Sequence, residues 1–315
     1  MLQTSQERAR EVAIIFFGIV RSVSITVESI WRNIIEPNAN SGKPNANRGP
    51  SFTSFASLNI IDSIHNPRSG ELGIPINRSD SLKLCADYFL LTRQDDQAII
   101  DELHAVKGQD DVYNDNYRSS HNLLHQFASL HRAWRALELL RPDGFDAYLF
   151  LRADLCYRDP LNFRDLQQYI TSQNSVLLPA WHSWGGLNDR FALAGPIAAR
   201  HYALRFERVL EFCRTHPMHA ETFLAWSLAQ QGCSVGELPI RASRVRSNDV
   251  VKDEDFTATR LLMPRHAARF TYPPVTFLDM EQQASKQGPS VANGLCNNTV
   301  SQVPAVGSGV RDDHR

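Results

Sequence analysis

The chain has 315 residues, 43% hydrophobic and 21% charged, with 16 Gly and 16 Pro, a composition that suits a folded globular protein and excludes a disordered or fibrous one. Its 33 basic and 34 acidic residues leave a net charge of -1, so no global field draws in nucleic acid or an anionic membrane. The basic set is 28 Arg against 5 Lys, which supplies many planar forks suited to phosphate.

The first apolar run, Val12 to Val20 (VAIIFFGIV), follows a polar leader containing Glu7 and Glu11. It is too short for a membrane span and wrongly flanked for a signal peptide, so it reads as a buried strand. No transmembrane segment is expected. Shorter apolar runs at 58–61, 88–91, 147–151 and 175–178 alternate with helix-period segments at 23–35, 95–106, 119–140, 161–171, 197–214 and 220–230. That alternation predicts an α/β domain with a mostly parallel sheet flanked by helices. Residues 37–50 (PNANSGKPNANRGP) predict a surface loop, and the polar stretch 281–315 a disordered tail, leaving one domain within 1–280. Cys85, Cys156, Cys213, Cys233 and Cys296 are odd in number, widely spaced and free of C-x-x-C, so neither a zinc cluster nor a disulfide framework is expected, and a reducing cytoplasm is the default compartment.

Three segments carry candidate chemistry. In FDAYLFLRADLCY (145–157) a strand runs directly into Arg152 and Asp154, at the strand end where open α/β sheets bind ligands. Asp154 suits a hard divalent cation shared with a diphosphate; it equally suits an ion pair with Arg152 that closes the strand. In PAWHSWGGLNDRFALAG (179–195), Gly185 and Gly186 permit close backbone approach to a ligand, Trp181 and Trp184 offer faces for sugar rings, and Asn188 and Asp189 offer polar contacts. The same GG and ND pairs are ordinary turn formers. In MHAETFLAWSL (218–228) a helix opens with His219 and Glu221, where Glu221 is either a partner for the helix dipole or a base pointing into a cleft, and His219 a cap or a catalyst.

The order of these parts resembles glycosyltransferases of the GT-A fold that use nucleotide sugars, especially polysaccharide-type members. The resemblance runs over about residues 12–250, through GIVRS, NPRSGELG, TRQDD, NLLHQFASLHRAW, RADL, GGLNDRFA and HAETFL. It implies a GT-A-like, Rossmann-like sheet that moves a sugar from a nucleoside diphosphate sugar to a hydroxyl of a carbohydrate or glycoconjugate acceptor. It places Gly18, Arg21 and Ser22 by the base or diphosphate, and Asn122 and Gln126, one helical turn apart, toward the nucleotide sugar. Arg152 stands where the family's first Asp of Asp-x-Asp would be, which leaves Asp154 as the implied ligand for Mn²⁺ or Mg²⁺ and makes Arg152 a source of positive charge. Gly185, Gly186, Asn188 and Asp189 fall on the sugar and acceptor side, and Glu221 matches the base of inverting members.

The first strand lacks G-x-G-x-x-G, and no P-loop or G-x-S-x-G occurs, which disfavours hydride transfer, phosphate-loop NTPases and α/β-hydrolases. A non-catalytic sugar- or nucleotide-binding domain of the same fold is the alternative, followed by a metal-dependent nucleotidyltransferase or phosphatase built on Asp154 and Asp189.

Overall fold

The computed structural model describes residues 10–39, 50–66, 69–170, 172–257 and 276–277. Most of the expected surface loop and the whole expected tail, residues 281–315, lie outside the described residues. In chain order the elements are β1 (Glu11–Ile19), α1 (Val23–Ile30), β2 (Ser51–Ile60), β3 (Ser63–Asn66), β4 (Glu71–Pro75), β5 (Tyr88–Arg93), α2 (Ile100–Lys107), α3 (Arg118–Leu140), β6 (Ala147–Arg152) and β7 (Leu155–Tyr157). There follow α4 (Phe163–Leu166), β8 (Ser175–Pro179), β9 (Ala192–Ala194), α5 (Pro196–Ala203), α6 (Val209–Phe212), α7 (Ala220–Gln230), β10 (Ser234–Leu238), β11 (Ala242–Arg244) and β12 (Thr276–Phe277).

Eight strands form one sheet in the order β12-β10-β8-β9-β6-β1-β2-β5. Neighbours run parallel except β9, which is antiparallel to both β6 and β8. The expected α/β architecture, a mostly parallel sheet flanked by helices, is what the structure shows.

Strand β1 sits centrally, pairing Ile14 with Ser54 on one side and Leu149 on the other. Its continuous apolar run follows from cover on both faces. Val12, Ile14 and Phe16 enter one core cluster with Val23 and Ile30 of α1, while Ala13, Ile15 and Phe17 enter a second with α3 and α5. The two-residue period of a strand thus divides one sequence between two cores. Helix α3 buries Leu123, Phe127, Leu130, Trp134 and Leu137, a stripe at three- and four-residue spacing.

Several boundaries differ from the sequence reading. The expected strand at 58–61 falls on the end of the longer β2, which stops at Ile60 and whose first half intersperses Phe52 and Phe55 with Ser and Thr and so carries no continuous apolar run. The expected helix at 197–214 breaks into α5, a 3-10 turn at Leu204–Arg208, and α6. The expected helix at 161–171 contracts to α4 and a 3-10 turn. Among the described residues no helix is long and apolar enough to cross a membrane, and Cys85, Cys156, Cys213 and Cys233 are free.

Candidate active site

The chain leaves β1 toward β2 on one side, while β6 lies on the other, so the carboxyl ends of β1 and β6 flank a topological switch point. A cleft of about 910 Å³ opens there. Of the residues singled out in the sequence, Gly18, Arg21, Asn122, Gln126, Arg152, Asp189 and Glu221 line it. Asp154, Ser22, Gly185, Gly186 and Asn188 do not line it, and each has an identifiable supporting contact or conformation instead.

Asp154 is 2% exposed and holds the end of β6 together. Arg152 donates from Nε to Oδ1 at 2.9 Å and from Nη2 to Oδ2 at 2.8 Å, and Arg21 Nη2 also donates to Oδ2. Burial alone would raise this carboxyl, but the two guanidinium groups hold it well below the usual carboxylate range. Arg21 passes the connection on, with Nη1 3.3 Å from Glu71 Oε2. Glu71, fully buried at the start of β4, accepts from the backbone N–H of Ser247 at 2.8 Å, from the Ser247 hydroxyl at 2.7 Å and from the Ser69 hydroxyl at 2.5 Å. Its burial is outweighed by Arg21 and these donors, and its pKa is lowered. Ser22, in the left-handed region at φ 52°, donates to the carbonyl of Arg246 at 2.6 Å. Strand ends, the β3–β4 hairpin and the 246–247 segment are thereby fastened to one another. Gly18, at φ 103°, takes a conformation open chiefly to glycine and donates its N–H to Ser129 on α3 at 2.9 Å.

The cleft wall is strongly cationic. Arg21, Arg118, Arg152, Arg190, Arg244, Arg246 and Lys252 line it against two carboxylates, Asp189 and Glu221. Arg190 is 7% exposed, stacks its guanidinium 4.7 Å above the Trp181 ring, and has no hydrogen-bond partner for Nη1. Burial, then the nearby Arg244, bring its pKa down to about 10; burial does the same to Arg246. Carboxylates set back from the cavity hold these groups: buried Glu254 accepts from Arg244 Nε at 2.7 Å and lies 3.9 Å from Arg190 Nη1, while Glu71 lies 3.6 Å from Arg246. The donors they leave toward the cavity suit an anion. Of the two tryptophans, only Trp184 lines the cleft, whereas Trp181 is buried with its indole N–H on the carbonyl of Ile240.

Glu221 sits in the first turn of α7, its Oε2 3.4 Å from His219 Nε2. Burial, and after it the negative charge of Asp189, push its carboxyl up to about 8. Asp189 in turn accepts from Gln126 Nε2 at 3.3 Å. The loop before β9 braces this carboxyl. Asn188 accepts the N–H of Arg190 at 3.0 Å and donates to the carbonyl of Trp181 at 2.5 Å, and the N–H of Leu187 meets the carbonyl of Glu221 at 2.9 Å. Gly185 turns the chain at φ 81°. Gly186 permits a close approach, but to the protein itself, since a Cβ there would lie 2.1 Å from the Glu221 carbonyl oxygen and 2.5 Å from Thr222 N. Gly186→Ala is therefore expected to push α7 off the loop and cost about 1–3 kcal/mol, as overpacking does. Thermal and urea unfolding measure this, and an unchanged midpoint would show that the loop yields instead.

The sequence reading missed Glu71 as the hub of the fastening, and Arg190, Arg244, Arg246 and Lys252 as the cationic wall. The run RASRVRSNDVVK (241–252) held the available signal, with Arg244 and Arg246 two apart as on one strand face. A further group lies at the edge of the cleft: Asp96, His121 and His125 bring three ligand atoms within 4.8 Å of one another, an arrangement that can hold a metal ion.

No protein-family model matches the chain, and no curated protein matches its sequence. Among solved structures, the chain is similar to the crystal structure of mouse xyloside xylosyltransferase 1 in its apo form, at 12% identity, over 70% of this chain and 82% of that one, with a TM-score of 0.31.

Proposed function

We propose that the chain is a glycosyltransferase that moves a sugar from a nucleoside diphosphate sugar to a hydroxyl of a carbohydrate or glycoconjugate acceptor, in polysaccharide or glycoconjugate synthesis. One observation carries the reading: a cleft at the strand ends brings a wall of arginines to face the carboxyl of Glu221, which stands in the first turn of α7 with Oε2 3.4 Å from His219 Nε2. The order of motifs along the chain, which resembles GT-A glycosyltransferases, supports it independently.

The diphosphate belongs against Arg152, Arg190 and Arg246, with Gly18 at the nucleotide end and Asn122 and Gln126 along the sugar. Negative charge gathers on the diphosphate as its oxygen separates from the anomeric carbon, and fixed guanidinium groups offset that charge without reorganising. The acceptor oxygen bonds to the anomeric carbon as its proton passes to Glu221, which works best as a base when its pKa lies near the operating pH. Asp189 and the face of Trp184 are the polar and stacking contacts for the sugars.

The Mn²⁺ or Mg²⁺ that the resemblance implies at Asp154 does not fit the residues found there. Both carboxylate oxygens already accept from the guanidinium groups of Arg21 and Arg152, so this position disfavours a further cation. Asp154 is assigned instead to orienting Arg21 and Arg152, and neutralising the diphosphate is assigned to the arginines.

Calorimetry across a panel of nucleoside diphosphate sugars in EDTA tests the reading. One of them is expected to bind, and Arg190→Ala should weaken it by about 10-fold or more, the worth of a hydrogen bond to a charged group. Failure of every nucleoside diphosphate and diphosphate sugar to bind would overturn it.

A further inference from the structure

His121 and His125 stand one turn apart on α3, so both imidazoles leave the helix on the same face. Their rings meet nearly perpendicular, with centroids 4.8 Å apart, and both direct Nε2 at one oxygen of Asp96, at 2.8 Å and 2.9 Å. Asp96 lies in the 3-10 turn just after β5, and His121 lines the cleft. The three groups come from two separate elements and are not needed for the sugar transfer described above. His125 is buried against the fold, whereas His121 and Asp96 reach solvent.

We propose that Asp96, His121 and His125 form a binding site for a zinc-class divalent transition metal, which fastens the turn after β5 to the first turns of α3 at the edge of the cleft. Three convergent ligand atoms, two of them imidazole nitrogens, make up a common protein set for such ions, with water in the remaining position. Two imidazoles favour zinc, cobalt or nickel over magnesium, which takes oxygen ligands. Binding replaces the hydrogen bonds between the rings and the carboxylate, and any proton on a coordinating nitrogen is released or moves to Nδ1, so affinity falls as pH is lowered. The site is separate from Asp154, where the guanidinium groups occupy the carboxylate.

The test uses the full chain without a histidine tag, stripped with EDTA and exchanged into metal-free buffer, titrated calorimetrically with Zn²⁺ and with Mg²⁺. One Zn²⁺ per chain is expected to bind, far more tightly than Mg²⁺, and Co²⁺ in its place should give a visible absorption band of a nitrogen- and oxygen-ligated ion. His125 is buried and its loss endangers the fold, so the decisive variants are His121→Ala and Asp96→Ala, whose side chains reach solvent. Each should weaken Zn²⁺ by at least the roughly 10- to 100-fold that even outer-shell changes cost, with the circular dichroism spectrum unchanged. Zn²⁺ binding of equal strength in either variant, or no preference for Zn²⁺ over Mg²⁺, would reduce the trio to a hydrogen-bonded cluster and overturn the proposal. Because the readout is metal affinity, the result stands apart from whether the chain transfers sugar.

Discussion

Glu221→Gln should lower the rate of sugar transfer by about 10² to 10⁴, the usual contribution of a positioned base, while donor affinity stays close to that of the unaltered chain. The amide fills the same space but cannot take the acceptor proton. The pH profile gives the signature. With its carboxyl pushed up to about 8 by burial and by Asp189, Glu221 must lose a proton before it can serve, so turnover should climb with pH and level off above about 8. The glutamine variant should lack that limb. Stability runs the opposite way. Between the ordinary carboxyl value of 4.5 and about 8, the folded chain keeps a proton that the unfolded chain has released, so the fold weakens as pH rises through that window. Relative to the unaltered chain, the variant should therefore melt at progressively higher temperature between pH 5 and pH 9. Near-normal turnover with the chemical step rate limiting would eliminate Glu221 and pass the role to Asp189. Retention at the anomeric carbon of the product, read by NMR, would count equally against a base in this position.

Asp154→Asn is the second large effect, and it falls on the fold before it falls on chemistry. The substitution leaves the buried Arg21 and the partly buried Arg152 beside an uncharged amide, and removing one partner from a buried ion pair costs about 3–5 kcal/mol. Urea unfolding at pH 7 should report a loss of that order. An acid titration provides the check. The unaltered carboxylate is held below its usual range, so its stabilisation is complete above about pH 4, near the unfolded value, and fades as pH falls below that. The two chains should thus converge in stability toward low pH. A loss of less than 1 kcal/mol at pH 7 would mean that the two arginines do not depend on Asp154. A cation at this carboxylate would show itself as Mg²⁺ or Mn²⁺ binding that the substitution abolishes.

The strands most legible from sequence were those covered on both faces. β1, β6 and β8 are runs of apolar residues because helices pack on each side, whereas the three-residue β9 is too short for any period to register. At the site, the sequence pointed to Arg152, Asp189 and Glu221 because each stands at an element boundary next to a recognisable run. The strand-closing ion pair of Arg152 and Asp154, one of two readings open at that stage, is the geometry found. Glu71 was illegible as a hub because its partners lie 50 and 176 positions away in sequence. Gly186 was legible as a point of close approach but not as to what approaches it, since the neighbour is the backbone of a helix 35 residues later.

The reversal of β9 has a consequence for how such a chain can diversify. Because β8 and β9 run in opposite directions, the segment joining them leaves and re-enters the sheet on the same rim, the one that bears the cleft. Most of the segment is buried against the sheet and α7, so the position it leaves open to change without any strand having to shift is its exposed tip at Trp184, which lines the cleft. Change there has one fixed condition. Whatever replaces Trp184, the residue at 186 has to remain without a side chain, or the helix carrying Glu221 loses its seat.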